Sequence, residues 1–288
     1  MAWFQVHFIS QSLKRTVSVN AFIPADPGVG APQREEKLYK TLYLLHGYDG
    51  DHTHWMTNGR IKELSQHYEL AVVMPSGENS FYVDIGRSGR LYSSFVGREL
   101  VEFTRRVFPL SRDRADTFIG GLSMGGYGAL YNGLKYHDTF SHIIALSSGM
   151  LAEVAEAMSA DPNRIGISRG YFEDLAGGDI RLLKESDKNL EVLAKQVLDR
   201  GGALPDLYIA CGYNDVLVHS NRRFSQYLSS IGYPHVYEEG AGTHEWAFWN
   251  AFLPRGVDRL GLAPAHTPKT ETMYWVDAQS DSPNPVTP

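Results

Sequence analysis

Ser123 stands in Gly121-Leu-Ser-Met-Gly125, with a glycine two residues to either side, and the stretches flanking it differ in kind. Phe118-Ile119 ahead of it is apolar and strand-like, while Tyr127, Leu130, Tyr131 and Leu134 behind it recur at the three- and four-residue spacing of an amphipathic helix. A serine on a sharp strand-to-helix turn is held in strained backbone, and the two glycines let the chain pass itself while Oγ stays exposed. The spacing predicts a nucleophile elbow with Ser123 at its tip, in preference to a Gly/Ser turn without chemistry.

A serine hydroxyl is barely ionised at neutral pH, so it needs a histidine as general base and an acid to orient and stabilise the imidazole. Where such an elbow sits on a parallel sheet, the chain order is serine, acid, histidine. The run Leu207-Tyr-Ile-Ala-Cys-Gly212 leads straight into Tyr213-Asn-Asp215, which puts Asp215 on a loop at a strand's carboxyl end. Asp206 falls at the opposite end of that strand, and Glu238 or Glu239 is the fallback acid. Gly240-Ala-Gly-Thr-His244 follows the last strand and precedes Trp246-Ala-Phe-Trp249, which makes His244 the candidate base; His137, His142, His219, His235 and His266 read as surface or satisfied core residues. Attack on a carbonyl also requires backbone N–H donors for the oxyanion. The amide of Met124, directly after the nucleophile, is one, and the amide of Tyr48 in the loop Leu44-Leu-His-Gly-Tyr48 is the other. His46, ahead of Ser123 in the chain, reads as a shaper of that loop. Tyr48, Phe81, Tyr82 and Trp246 are expected near the mouth, as an acyl or phenolic pocket.

The elements that must hold these residues are legible as short runs ending at Gly, Pro or Ser. Strands are expected at 4–10, 17–24, 41–47, 70–77, 117–120, 142–149, 207–212 and 235–240. The first two alternate apolar with polar residues, as a half-exposed antiparallel pair does, and the later ones are more continuously apolar, as buried parallel strands are. Helical stripes fill the later gaps, at Arg98 to Phe108 and at His219 to Ile231. The alternation predicts an α/β fold: a mostly parallel eight-stranded sheet, helices on both faces, sites at the strands' carboxyl ends. Residues 150–202 hold helical pieces such as Glu191 to Leu198 but no convincing strand, and are expected as a lid-like insertion in a catalytic domain spanning 1–262. Residues 263–288, rich in Pro, Ser and Thr, read as a poorly ordered tail that Met273-Tyr-Trp-Val276 could dock, or exchange between subunits of a homo-oligomer.

Composition narrows the partners. A 288-residue chain with 43% hydrophobic and 21% charged residues can bury a large core. Its formal charge of −6 comes without a Lys/Arg-rich run, so neither nucleic acid nor an anionic membrane is indicated, and a small, neutral or weakly charged molecule fits better. The single cysteine, Cys211, has no internal partner, and Met1 to Phe8 lacks a basic region followed by an apolar stretch; a cytoplasmic location is expected. Asp49, Asp51, His52 and His54 match no zinc spacing and suit a helix start better than a metal, and no cofactor is expected.

These residues resemble the esterase D-like branch of the α/β-hydrolases, in particular small tributyrin-esterase and feruloyl-esterase types. The likeness spans most of 4–260 and rests on Tyr43-Leu-Leu-His-Gly47, the Asn58/Arg60 helix start, Val73-Met-Pro75, Phe118-Ile-Gly-Gly-Leu-Ser-Met-Gly-Gly-Tyr-Gly128, Cys211-Gly with Asp215, and Ala241-Gly-Thr-His-Glu-Trp246. It implies a Ser123–Asp215–His244 triad, a short partial lid and hydrolysis of short acyl or hydroxycinnamoyl esters through an acyl-enzyme. Thioester hydrolysis of the S-formylglutathione kind, or transfer of the acyl group to another alcohol, is the alternative. The tail does not match the family pattern.

Overall fold

Along Thr41–Leu45 (β3) every side chain is buried, and successive residues serve opposite faces: Tyr43 and Leu45 join one apolar core, Leu42 and Leu44 the other. A strand that must be apolar on both faces belongs in the middle of a covered sheet, and there it lies. The computed structural model describes residues 1–26, 37–160 and 168–264; most of the expected tail, with Met273 to Val276 and His266, lies outside them.

The main sheet is built from β1 (Ala2–Ser10), β2 (Arg15–Ile23), β3, β4 (Ala71–Pro75), β7 (Thr117–Leu122), β8 (His142–Leu146), β9 (Asp206–Gly212) and β10 (His235–Gly240), in the order β1-β2-β4-β3-β7-β8-β9-β10. The first two pairings, β1 with β2 and β2 with β4, are antiparallel and the rest parallel. All eight strands expected from the sequence form. The short strands β5 (Asp84–Ile85) and β6 (Arg90–Leu91) make a separate hairpin.

Helices α1 (His54–Asn58), α2 (Ile61–Tyr68) and α10 (Trp246–Asp258) contribute Trp55, Leu64, Phe248 and Val257 to one core. Helices α4 (Leu100–Val107), α5 (Met124–Lys135) and α9 (Val218–Ser230) contribute Leu100, Tyr127 and Phe224 to the other. The expected helix from Arg98 begins earlier, with α3 (Tyr92–Ser94) running through a π-helical turn over Phe95–Glu99 into α4. The wider turn carries Glu99, whose carboxylate accepts hydrogen bonds from Ser10 Oγ (2.8 Å) and the Ser12 amide (2.9 Å), tying the β1–β2 turn to the helix. Val107, at the end of α4, is half exposed.

Between β8 and β9 the chain forms α6 (Leu151–Ala160), α7 (Arg169–Ala176), a 3-10 turn over Ile180–Lys184 and α8 (Leu190–Arg200). This segment is fastened to α5 by hydrogen bonds from Tyr127 Oη to the Lys188 carbonyl (2.7 Å) and from Tyr131 Oη to Asp187 (3.3 Å). Every residue of α5 from Met124 to Leu134 is buried, the helix packing on the sheet as well as on α8. Among the described residues no helix is long and apolar enough to cross a membrane.

Candidate active site

Ser123 joins β7 to α5 with φ 55° and ψ −118°, a left-handed backbone that side chains rarely adopt. Three glycines make the crossing possible. A Cβ on Gly121 would stand 2.3 Å from the Gly125 carbonyl oxygen, one on Gly125 2.4 Å from that of Leu45, and one on Gly47 3.4 Å from Ser123 Cβ. The elbow and the loop after β3 are therefore in backbone contact, which is what an oxyanion site shared by Met124 and Tyr48 needs. Neither of those two amides has an acceptor among the described residues.

His244 and Asp215 reach the serine from the loops after β10 and β9. His244 Nε2 lies 2.9 Å from Ser123 Oγ, and Nδ1 lies 2.9 and 3.2 Å from the two oxygens of Asp215. The two loops are locked together through their backbones, with Tyr213 N–H donating to the Gly240 carbonyl (2.8 Å) and Asn214 N–H to that of Gly242 (3.1 Å). A Cβ on Gly212 would stand 2.5 Å from the Gly242 oxygen, so the approach requires glycine there. Burial pushes the Asp215 carboxyl up, but hydrogen bonding from His244, the positive charge available there, the Leu217 amide and the Ser147 hydroxyl more than offset it and hold the group below the usual carboxylate range. Asp215 is thus a buried anion, and His244 Nδ1–H its natural donor. Glu238 and Glu239, the fallback acids, are engaged with Arg255 and with Arg222 and Tyr237.

His46 is buried in the loop after β3 and donates from Nδ1 to the Gly47 carbonyl (2.7 Å), while Nε2 accepts the Gly77 amide (2.8 Å). A trans peptide sends its C=O and N–H in opposite directions. By gripping the Gly47 carbonyl, His46 fixes the peptide whose N–H belongs to Tyr48. Burial lowers its pKa to about 4, so it stays neutral and keeps this pairing.

The aromatic residues expected at the mouth divide. Trp246 is half-buried at the start of α10, edge-on to His54, Trp55 and Trp249. Phe81 lies edge-on to Tyr127, and its ring is 3.9 Å from where a Gly149 Cβ would be; the Gly149 amide donates to the Ser123 carbonyl. The half-buried Tyr48 ring meets Tyr171 of α7 edge-on at 6.3 Å. Tyr82 is not at the mouth. It is fully buried, wedged where a Cβ on Gly77 or Gly128 would collide with its ring, and its hydroxyl donates to the His46 carbonyl (2.9 Å). Two adjacent left-handed residues, Phe81 and Tyr82 (φ 49° and 55°), turn the chain inward there, and neither is a glycine that would have signalled the turn.

Of the remaining candidates, Asp51 accepts from the Thr53 amide (2.7 Å) and hydroxyl (2.6 Å) ahead of α1, and His52 pairs with Gln5. Cys211 is buried in β9, where burial first, and the Asp215 charge second, push its thiol up to about 12. Sequence reasoning missed Ser147, fully buried after β8 with φ 48°, whose Oγ accepts the Trp249 indole N–H (3.1 Å); the ring of Trp249 in turn stands edge-on to His244 at 5.0 Å. Its only signal was the Ser147-Ser-Gly149 stretch at a strand's carboxyl end. Asn79, which touches both the Tyr48 loop and α7, was missed as well.

A mostly parallel sheet with an elbow serine on its central strand, and acid and base on the loops of two later strands, defines a serine hydrolase of the α/β-hydrolase fold. Comparison with known proteins gives the particular family. Residues 10–260 match the Esterase family, described as "Putative esterase". The chain is 43% identical over 260 residues to an acetyl esterase of Caldicellulosiruptor saccharolyticus, covering 90% of this chain and 97% of that protein. It is similar in structure to the fluorophosphonate-binding serine hydrolase FphF of Staphylococcus aureus (TM-score 0.79, 28% identity, 90% of this chain and 98% of that one). It is also similar to the S-formylglutathione hydrolase FrmB of the same organism (TM-score 0.78, 28% identity, again 90% and 98%). The chain belongs to the Esterase family, in its esterase D-like branch, and is a carboxylic ester hydrolase.

Proposed function

We propose that the protein hydrolyses short-chain acyl esters, acetyl esters first among them, through an acyl-enzyme on Ser123. The observation that carries this reading is the unbroken run of contacts from Asp215 through His244 to Ser123 Oγ, closing at 2.9 Å. His244 Nε2 takes the hydroxyl proton as Oγ attacks the ester carbonyl, and the Asp215 carboxylate stabilises the imidazolium that results. The oxyanion is held by the Tyr48 and Met124 amides. His244 then gives its proton to the departing alkoxide and takes one from water; the hydroxide adds to the acyl carbon, the bond from that carbon to Ser123 Oγ breaks, and His244 returns its proton to Oγ as the acid leaves.

A short acyl group is favoured by the apolar side chains of Phe81, Val154 and Leu217, which gather within 3.8–3.9 Å of a Cβ position on Gly149, the residue whose amide donates to the Ser123 carbonyl. The likeness to an acetyl esterase over 90% of this chain supports the same choice. The segment 150–202 serves as a partial lid, a role supported by the meeting of Tyr171 with Tyr48. A second reading, hydrolysis of small thioesters, is favoured by the likeness to an S-formylglutathione hydrolase, and the half-buried Tyr48 ring offers a face to a flat hydroxycinnamoyl acid. Initial rates on p-nitrophenyl acetate, butyrate and octanoate, methyl ferulate and S-formylglutathione, for the parent and Ser123→Ala, test the proposal. The expected order is acetate above butyrate above octanoate, all lost in the variant. A preference for ferulate or the thioester moves that substrate class ahead.

A further inference from the structure

The turn Gly47–Gly50 carries the Tyr48 amide, and it contains a conformation that its own residues do not favour. Asp49 has φ 61°, although a turn that needs a left-handed third residue is usually built with glycine or asparagine there. Two grips hold the turn. From below, the Gly47 carbonyl accepts from His46 Nδ1 (2.7 Å) and from the Gly50 amide (3.2 Å). From above, Asn79 Oδ1 accepts the Asp49 amide at 2.9 Å, and Asn79 Nδ2 faces Asp49 Oδ1 at 3.5 Å. The asparagine amide thus meets both polar ends of the strained residue.

Asn79 is itself preset. Its neighbours Glu78 and Phe81 are left-handed (φ 46° and 49°), Ser80 Oγ donates to the Gly77 carbonyl (2.6 Å), and Gly77 and Tyr82 are both bound to His46. The Asn79 carbonyl accepts the hydroxyl of Tyr171 at 2.5 Å, and the Tyr171 ring meets that of Tyr48. One residue therefore touches the turn with its side chain and the insertion with its backbone.

We propose that Asn79 is a positioning residue that holds the Gly47–Gly50 turn in the shape its oxyanion donor requires, and that Tyr171 of the insertion sets that hold. The inference rests on the proposed reading of Ser123 as the nucleophile and of the Tyr48 amide as a donor to its oxyanion. Such a donor acts on charge present only in the transition state, so loosening it lowers kcat and leaves substrate binding nearly unchanged.

Kinetics on p-nitrophenyl acetate test this. Asn79→Ala is expected to lower kcat roughly tenfold to a hundredfold with KM within about twofold, and Tyr171→Phe to lower kcat by about threefold in the same pattern. The decisive comparison is a swap. Asn79→Asp places two carboxylates together and is expected to be as impaired as Asn79→Ala, whereas Asn79→Asp with Asp49→Asn restores a donor facing an acceptor and is expected to regain most of the lost kcat. That comparison also decides the matter if Asn79→Ala does not fold. Parent-like kcat in Asn79→Ala, or a double variant no better than Asn79→Asp alone, overturns the inference. Persistence of activity in Ser123→Ala would instead overturn the reading beneath it, whatever Asn79 does.

Discussion

In the mechanism we propose, the acid–base side of the site and the oxyanion side are held by different means. Asp215 and His244 sit on loops that continue two paired strands, and two backbone hydrogen bonds, Tyr213 to Gly240 and Asn214 to Gly242, join those loops. The sheet itself supplies that register. Across the nucleophile, the Tyr48 turn is held by side chains, His46 and Asn79, and by non-glycine residues in left-handed backbone at Asp49, Phe81 and Tyr82. Backbone pairing is indifferent to most substitutions, whereas a side-chain grip is lost with one. The oxyanion side should therefore be the more easily tuned, and the acid–base side the more uniformly required.

The largest effect tests the centre both sides share. Ser123→Ala should lower kcat by about a millionfold, as removal of a nucleophile acting within a unit does, measured against p-nitrophenyl acetate with the background rate subtracted. Asp215→Asn breaks the acid–base side while leaving its volume, and should cost roughly ten thousandfold in kcat, because the neutral amide no longer fixes the imidazole tautomer. A loss of tenfold or less there would mean that Glu238 or Glu239 can substitute. Gly125→Ala strikes the backbone contact between the two sides: with the Leu45 oxygen 2.4 Å from the new Cβ, urea unfolding should show a loss exceeding about 3 kcal/mol, or no folded protein.

The oxyanion side also carries a pH signature. The unfolded chain protonates His46 near pH 6.5, the folded one only near 4. Between these values the unfolded state binds more protons, so this contribution is complete above pH 6.5, falls as the pH drops through the window, and is lost below about 4; its full size is roughly 3 kcal/mol. Urea unfolding of the parent and of His46→Gln across this range should show the slope in the parent and a flatter curve in the variant. The smallest effect sharpens the acid–base side. Trp249→Phe keeps an aromatic ring beside His244 but removes the hydrogen bond to Ser147, and should lower kcat only a few-fold, in keeping with about 1 kcal/mol for one such bond.

The same contrast explains what the sequence disclosed. Strand runs, the elbow glycines and the chain order of Ser123, Asp215 and His244 follow from local pattern and sheet topology, so all eight strands, and the meeting of the three side chains, could be anticipated. Tyr82 was expected at the mouth and lies in the core because two left-handed non-glycine residues redirect the loop, which no residue type announces. Asn79 and Ser147 act through contacts with residues far along the chain, Tyr171 and Trp249, that only the folded molecule brings together. The π-turn at Phe95–Glu99 escaped for the same reason, its purpose being the distant contact of Glu99 with Ser10.

The central claim, that Ser123 carries the acyl group, is most directly tested by rapid acid quenching of the parent during turnover of p-nitrophenyl acetate, followed by mass spectrometry of the intact chain and its peptides. The account predicts one added acetyl group per chain, located on the peptide containing Ser123 and absent from Ser123→Ala. Turnover with the acetyl group on another residue, or acetylation undiminished in Ser123→Ala, would contradict it.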